Sequence, residues 1–343
     1  MEMFVPATPQ ILLRKFLEPN KELSMTMGVW GEYEVIKRSW DAVQKRFDVT
    51  QHLLFKDNKN VITDIGLQKL ASGNAGIGSA LASALNFLHF GTGTTTPVST
   101  DTSLAGWGVN AATSYSSGLS SQGSAPDFYA QLQWDLGLAT ANGTWTEVGI
   151  GWSNASSGNI FSRNLFKDGN GNPTSVQKVA NVDTLTVIYR LHFVRSSDTP
   201  VESTISVTGG SGSVTAQVLM TNAGLSQLAS YNGYVPFITS LPSAQWCKIG
   251  TNTGVITPTL TGVRSSIGDA NLVNFTNYVT NTMYRDVTIE WPANIVGTIY
   301  EAGGVIIYGS STQCALFRFV EGIPKDNTKK FRLNFRGNYG RAA

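Results

Sequence analysis

The chain has 343 residues, 25 Lys+Arg against 23 Asp+Glu, and a net charge of +2. That balance gives no electrostatic case for a nucleic-acid partner, and no run of about 18 apolar residues offers a membrane-spanning helix. The length exceeds what one core usually fills, so two domains are expected; a charged fraction of 14% with abundant Gly, Ser, Thr and Asn points to short strands joined by many turns.

Residues 1–60 differ in texture from the rest, being dense in both signs of charge. Met1–Pro6 lacks the basic-then-apolar order of a signal peptide. Pro6, Pro9 and Pro19 suggest an extended arm around a helical turn or two at Ile11–Leu17. Over Val35–Phe47, Val35, Ile36, Trp40, Val43 and Phe47 fall near 3.6-residue spacing with Lys37, Arg38, Asp41, Lys45 and Arg46 opposite, which predicts an amphipathic helix. Such a helix packs either on its own domain or on another subunit.

From Val61 the pattern turns to β. Val61-Ile62-Thr63 ends a strand, Thr63 or Asp64 caps a short helix through Leu70-Ala71, and Gly73-Asn74 stops it. The small-residue passage from Gly76 leads to a strand at Asn86–Phe90 and then to a turn at Gly91-Thr92-Gly93-Thr94-Thr95-Thr96-Pro97. That turn has no lysine after it and so is no phosphate loop. Further strands are expected at Phe128–Trp134, at Trp145–Ile150 across a turn at Asn142-Gly143, at Asn159–Phe166, and at Leu185–Phe193, where Leu185, Val187, Tyr189, Leu191 and Phe193 share a face. Asp168, Asn170 and Asn172 begin like a calcium loop, but Pro173 and Val179 stand where its glycine and bidentate acid belong, so a tight turn is the better reading.

The segment 196–213 is rich in Ser, Thr and Gly and reads as a linker or a last hairpin. Beyond it the order recurs. Thr63–Ser72 returns as Thr221–Ser230, 158 residues later, with six of ten positions identical. Colinear echoes follow: Gly250–Gly254 against Gly91–Gly93, Arg285–Trp291 against Phe128–Trp134, Ile299–Val305 with Glu301 against Glu147, Ala315–Arg318 against Ile160–Arg163, and Phe331–Phe335 against Tyr189–Phe193. The reading is a mainly β chain of two tandem, internally duplicated β-sandwich-like modules. An arm with an amphipathic helix occupies 1–60, the first module 61–195, a linker 196–213, and the second module 214–343.

Chemistry-bearing residues are sparse. His52, His89 and His192 have no nucleophile context, and neither His89 nor His192 recurs in the second copy. Cys247 and Cys314 have no metal or redox spacing and read as buried thiols. Glu147/Glu301 and Arg163/Arg318 recur in both copies, which suggests a structural ion pair bracing each module. The alternative, one acid of a glycosidase pair, needs a second carboxylate about 5–9.5 Å away, with Asp135, Asp183, Asp286 and Asp326 as the candidates. Trp107, Trp134, Trp145 and Trp152 could line a sugar-binding face, but tryptophan in strands is more often core or interface. The residues give no catalytic, cofactor-binding or metal site and imply no cofactor.

Val61–Leu67 with Leu70-Ala71, Phe90–Pro97 with Thr100-Asp101-Thr102, Trp145–Ile150, Phe161-Ser162-Arg163 and Asp183–Val187 resemble the β-rich modules of tail-fibre, collar and baseplate-appendage proteins of tailed bacteriophages. The resemblance covers about 60–194 and reaches 214–336 through the repeat; the run after Gly250 departs from it, and 1–60 lies outside it. It implies a non-enzymatic virion component, assembled in the bacterial cytoplasm, whose partners are other virion proteins and copies of itself, with no nucleic acid and no membrane insertion. A receptor- or carbohydrate-binding fibre protein is the alternative.

Overall fold

Leu23, Met25, Met27, Val29, Tyr33 and Val35 are all but inaccessible to solvent. Their period of two places them on one face of a strand. In the computed structural model, which describes residues 23–54, 60–72, 84–112, 117–124, 127–206, 213–222, 247–275, 279–304 and 315–342, this strand is β1 (Ser24–Asp41). It turns through Lys45, which has φ of 55°, into β2 (Arg46–Leu54). The helix expected over Val35–Phe47 is therefore a β-hairpin. Its 3.6-residue apolar spacing mixes two faces: Val35 faces the core, whereas Ile36 and Trp40 are outward and Val43 lies in the turn. Cross-strand partners for the charged residues, Lys37 with Asp183 and Arg38 with Thr186, favour the extended form.

The first half continues with β3 (Val61–Ile62), α1 (Asp64–Ser72), β4 (Phe87–Gly91), β5 (Trp107–Ala112), β6 (Ser117–Ser124) and β7 (Asp127–Leu136). It closes with β8 (Gly143–Trp145), β9 (Glu147–Gly151), β10 (Ile160–Leu165), β11 (Val176–Lys178) and β12 (Asp183–Arg195). Within the expected linker, β13 (Val201–Ser206) forms a hairpin with β14 (Ser213–Met220). Then come β15 (Lys248–Gly250), β16 (Ser266–Asp269), β17 (Leu272–Phe275), β18 (Tyr284–Trp291), β19 (Gly297–Gly304), β20 (Ala315–Lys325) and β21 (Phe331–Arg341). The fold is mainly β. None of its described helices is long and apolar enough to cross a membrane. Residues 1–22, with the turn expected at Ile11–Leu17, and 223–230, the body of the second repeat block, lie outside the described residues, as do 76–83 and Cys314.

One large sheet runs β17-β18-β21-β1-β12-β7-β6, with β2 hydrogen-bonded to β1. Two smaller sheets run β3-β10-β9-β4-β5 and β13-β14-β20-β19-β15-β16. Residues 24–54, expected as part of an arm ahead of the modules, instead occupy the middle of the large sheet. β1 pairs antiparallel with β12 along its length and parallel with β21 over Ser24–Val29. The turn at Asn142-Gly143 forms, but the strands on its two sides enter different sheets.

The two smaller sheets share an order: β3-β10-β9-β4-β5 against β14-β20-β19-β15-β16. Their registers agree as well. Gly91 faces Glu147 as Gly250 faces Glu301; Ile62 faces Ser162 as Met220 faces Ala315; Gly143 faces Lys178 as Gly297 faces Lys325. Asp64 N–H donates to Ser99 O (2.7 Å) as Asn222 N–H donates to Pro258 O (2.7 Å). One difference stands out: β20 runs through a bulge at Gly322, whereas the first half leaves the ladder at Leu165, makes an excursion over 166–175, and resumes as β11. Within that excursion Asp168 Oδ1 accepts the Asn170 and Asn172 N–H groups (both 2.9 Å), the tight turn expected there.

Buried side chains from both halves form one contiguous core. Arginines tie the halves together. Arg341 donates to Ile62 O (2.6 Å) and Asp64 Oδ1 (2.5 Å), Arg195 to Asn222 Oδ1, and Arg285 to Ala71 O at the end of α1 (2.8 Å). The helix is capped as expected: Thr63 Oγ1 accepts from Gly66 N (2.9 Å) and itself donates to Ile160 O (2.5 Å).

Gly66 sets how closely α1 lies on β10, because a Cβ there would stand 2.4 Å from Phe161 O. Helix propensity alone would make Gly66→Ala stabilising by about 1 kcal/mol. Since the obstruction is backbone, the expected result is a net loss of about 1–3 kcal/mol, measured by urea unfolding; a stabilised variant would show that the helix is not seated this tightly.

Candidate functional site

Inward residues Val148 and Ile150 of β9 fill the core, so Glu147 points to the outer face of its sheet. It is nonetheless wholly buried, because the loop from Thr92 to Gly106 lies across it. Oε1 accepts the N–H groups of Gly93 (2.9 Å) and Gly106 (2.7 Å), and Oε2 accepts that of Ala105 (3.2 Å) and Arg163 Nε (2.8 Å). Arg163, also buried, extends the clasp: Nη1 pairs with Asp101 (2.7 Å) and Nη2 donates to Thr95 O (2.8 Å). Gly93 is required by the close approach, since a Cβ there would lie 2.4 Å from Glu147 Oε1.

The second half repeats the clasp with one exchange. Glu301 Oε2 accepts the N–H of Arg264 (2.8 Å), the register equivalent of Ala105, and Oε1 accepts Arg264 Nε (2.9 Å). Arg264 Nη2 then donates to Gly254 O (2.9 Å), which stands where Thr95 O stands in the first half. The guanidinium thus makes the same contacts from a different root. The pair expected between Glu301 and Arg318 does not form, because the ladder places Arg318 level with Leu165 and puts Leu316 at the level of Arg163. Arg318 bonds Gln217 Oε1 and Thr253 O instead (both 3.1 Å). Leu316, with Leu219 and Ile256, fills the space beneath the loop as a small apolar cluster. Arg264 carries no repeat signal because its counterpart, Ala105, is an alanine; the recurring glutamate and glycines are the signal the sequence holds.

Neither glutamate is arranged for acid–base work. Both oxygens of Glu147 are committed to donors, and the four aspartates named as candidates for a glycosidase pair are engaged elsewhere. Asp183 pairs with Lys37 (3.1 Å), Asp286 with Arg336 (2.6 Å), Asp135 accepts from Thr186 (2.9 Å), and Asp326 accepts from Thr328 N (2.8 Å) in a turn. The tryptophans do not share a face: Trp134 and Trp145 are core, while Trp107 is partly exposed. Among the described residues, no group of three or more His, Cys, Asp or Glu is placed to hold a metal ion.

The histidines have partners of their own. His89 is buried; its Nε2 lies 3.0 Å from Ser153 O and its Nδ1 is approached by the Trp107 indole N–H (3.5 Å). Burial holds its pKa down to about 4, so the ring is neutral near pH 7. His192 stacks on Trp30 with centroids 3.6 Å apart, and His52 pairs with Glu34 (2.9 Å). Cys247 is a buried thiol.

Two further features have the burial or concavity of a site. At the seam between β1, β12 and β10, Tyr33 Oη and Asn60 Nδ2 meet Ser162 Oγ at 2.7 and 2.6 Å, and Asn60 Nδ2 also reaches Tyr189 Oη (3.3 Å). Burial raises both tyrosines, Tyr189 to about 12, so neither ionises near neutrality. With Ser162 wholly buried, the cluster is a polar bolt between sheets. A cavity of about 350 Å³ opens between the excursion 166–175 and the clasped loop, lined by Thr94, Thr146, Leu165, Pro173, Thr174 and Ser175 with Gly93. It depends on residues the second half lacks.

Compared with protein-family models, with curated proteins and with solved structures, the chain matches none.

The two clasps predict a relocation experiment. Arg163→Leu should cost about 3–5 kcal/mol, because it leaves Glu147 buried without its cation. Adding Ala105→Arg, the arrangement of the second half, should recover at least half of that loss in chemical unfolding. Additive or worse behaviour of the double variant would refute the equivalence of the two sites.

Proposed function

We propose that the chain is a non-enzymatic structural component of a tailed-bacteriophage virion, built by tandem duplication and working by assembly with copies of itself and with other virion proteins. The observation that carries this reading is the use made of its buried charge. Glu147 and Glu301 hold surface loops in place in two register-matched positions, and both are buried. Matched strand orders and matched backbone contacts across the halves support duplication of a unit approximated by 61–195 and 214–343, with β1 inserted between the two in the large sheet. Loops pinned by buried charge suit a part that must keep its shape in an assembly. Residues 24–54 belong to the large sheet, so they contribute to assembly as part of a sheet and not as a separate arm.

A second reading, a carbohydrate- or receptor-binding fibre protein, is favoured by the cavity beside the first clasp. It is lined by four hydroxyl side chains and is of a size that admits one sugar ring.

Mass spectrometry and immunogold labelling of purified phage particles test the assembly reading. The chain should co-purify in fixed stoichiometry and label one place on the particle; its presence in the lysate together with its absence from washed particles would contradict the reading. Millimolar or tighter glycan binding, weakened by Thr146→Val, is expected of the second reading alone.

A further inference from the structure

We infer that the outward face of the β1–β2 hairpin is a self-association surface that takes the same face of a second copy of this chain. The inference rests on the assembly role proposed above and gives that role a location. Odd-numbered residues of β1 such as Tyr33 and Val35 fill the core, so Glu34, Ile36, Arg38 and Trp40 point the other way.

The pairing of neighbouring strands extends these residues into rows. Trp40 lies beside Phe47 of β2, with ring centroids 5.2 Å apart, and beside Val182, whose carbonyl accepts the Trp40 N–H (2.9 Å). Arg38 lies beside Val49. In this monomer Trp40 is 44% exposed, Phe47 38%, Val182 40% and Val49 58%. Large side chains grouped on one sheet face in this way mark an interaction surface more than scattered exposure does.

The charges on the same face narrow the partner. Arg190 bonds Glu32 (2.8 Å) and Glu34 (2.7 Å), His52 also bonds Glu34 (2.9 Å), and Arg38 donates to Thr186 (3.1 Å). Two arginines stand against Glu32, Glu34 and the neighbouring Asp135, which accepts from the same Thr186 hydroxyl, and their bonds lie along the sheet, so the face offers no positive excess to a nucleic acid or an anionic membrane. Its complement is another flat, apolar sheet face with the same twist. A second copy presents that surface, and sheet faces of this kind stack with aligned strands. A twofold contact of this type closes on itself and yields a discrete dimer.

Sedimentation velocity on the full chain from about 1 to about 200 µM tests this. Wild type should be dimeric in the upper part of the range. Trp40→Thr with Val49→Thr, which keeps β propensity, should weaken dimerisation by about 100-fold or more, with far-UV circular dichroism unchanged. Val255→Thr with Val296→Thr, at exposed valines of the second half, should leave it intact. A wild type that stays monomeric throughout, or a hairpin variant that dimerises like wild type, would overturn the inference. So would a monomeric wild type that floats with neutral phosphatidylcholine vesicles, since the face would then serve a lipid surface. A dimer lost on mutation, from a chain absent from phage particles, would leave this inference standing and remove the virion reading.

Discussion

A carboxylate sealed beneath a surface loop is the constraint on which each half of this protein turns. Glu147 sits on the face of β9 away from the core, where water would ordinarily solvate it, and the loop that covers it must replace that water with donors. Three backbone N–H groups and one guanidinium do so. Net stabilisation from a buried ion pair is small, and removal of one partner is costly. The pair therefore acts mainly on geometry: the loop has one place where the glutamate is satisfied. Glu301 imposes the same condition on the second loop.

The exchange of arginine roots between the halves follows from that condition. What must be kept is a cation between the glutamate and the carbonyl at Thr95 or Gly254. Arg163 reaches it from the sheet and Arg264 from the loop. Once the cation comes from the loop, its former place on the sheet can be apolar, and Leu316 packs there with Leu219 and Ile256. Around these two clasps the large sheet supplies unity. With β1 held between β12 and β21, and with Arg341 bonded to Asp64 and Arg195 to Asn222 across the halves, the halves share one core.

Much of the β content was legible in the sequence because it rests on alternation. Leu185, Val187, Tyr189, Leu191 and Phe193 are all buried, as their alternation predicts, and Thr63 caps its helix through the hydroxyl. The glutamate pair was visible through its recurrence. The arginine pair was misassigned because colinear blocks tolerate a slip of two residues, which keeps every side chain on its expected face; Arg318 and Leu165 share a level that only the ladder reveals. The hairpin at β1–β2 is disguised for a related reason. Over thirteen residues, outward Ile36 and Trp40 and inward Val35 imitate a helical stripe, whereas the alternation that decides the matter begins upstream at Leu23. Nothing local in 24–41 records that two halves will pair with it, since that choice depends on strands about 150 and 300 residues away.

Native-state hydrogen exchange at the loop amides tests most directly whether the buried carboxylates hold the loops. If they do, the N–H groups of Gly93, Gly106 and Arg264 exchange within about tenfold of the amides in β9 and β19, through opening of the same structural unit. Exchange of these three at the rate of exposed turns, with β9 and β19 still protected, would mean that the loops lie on the sheets without being held there.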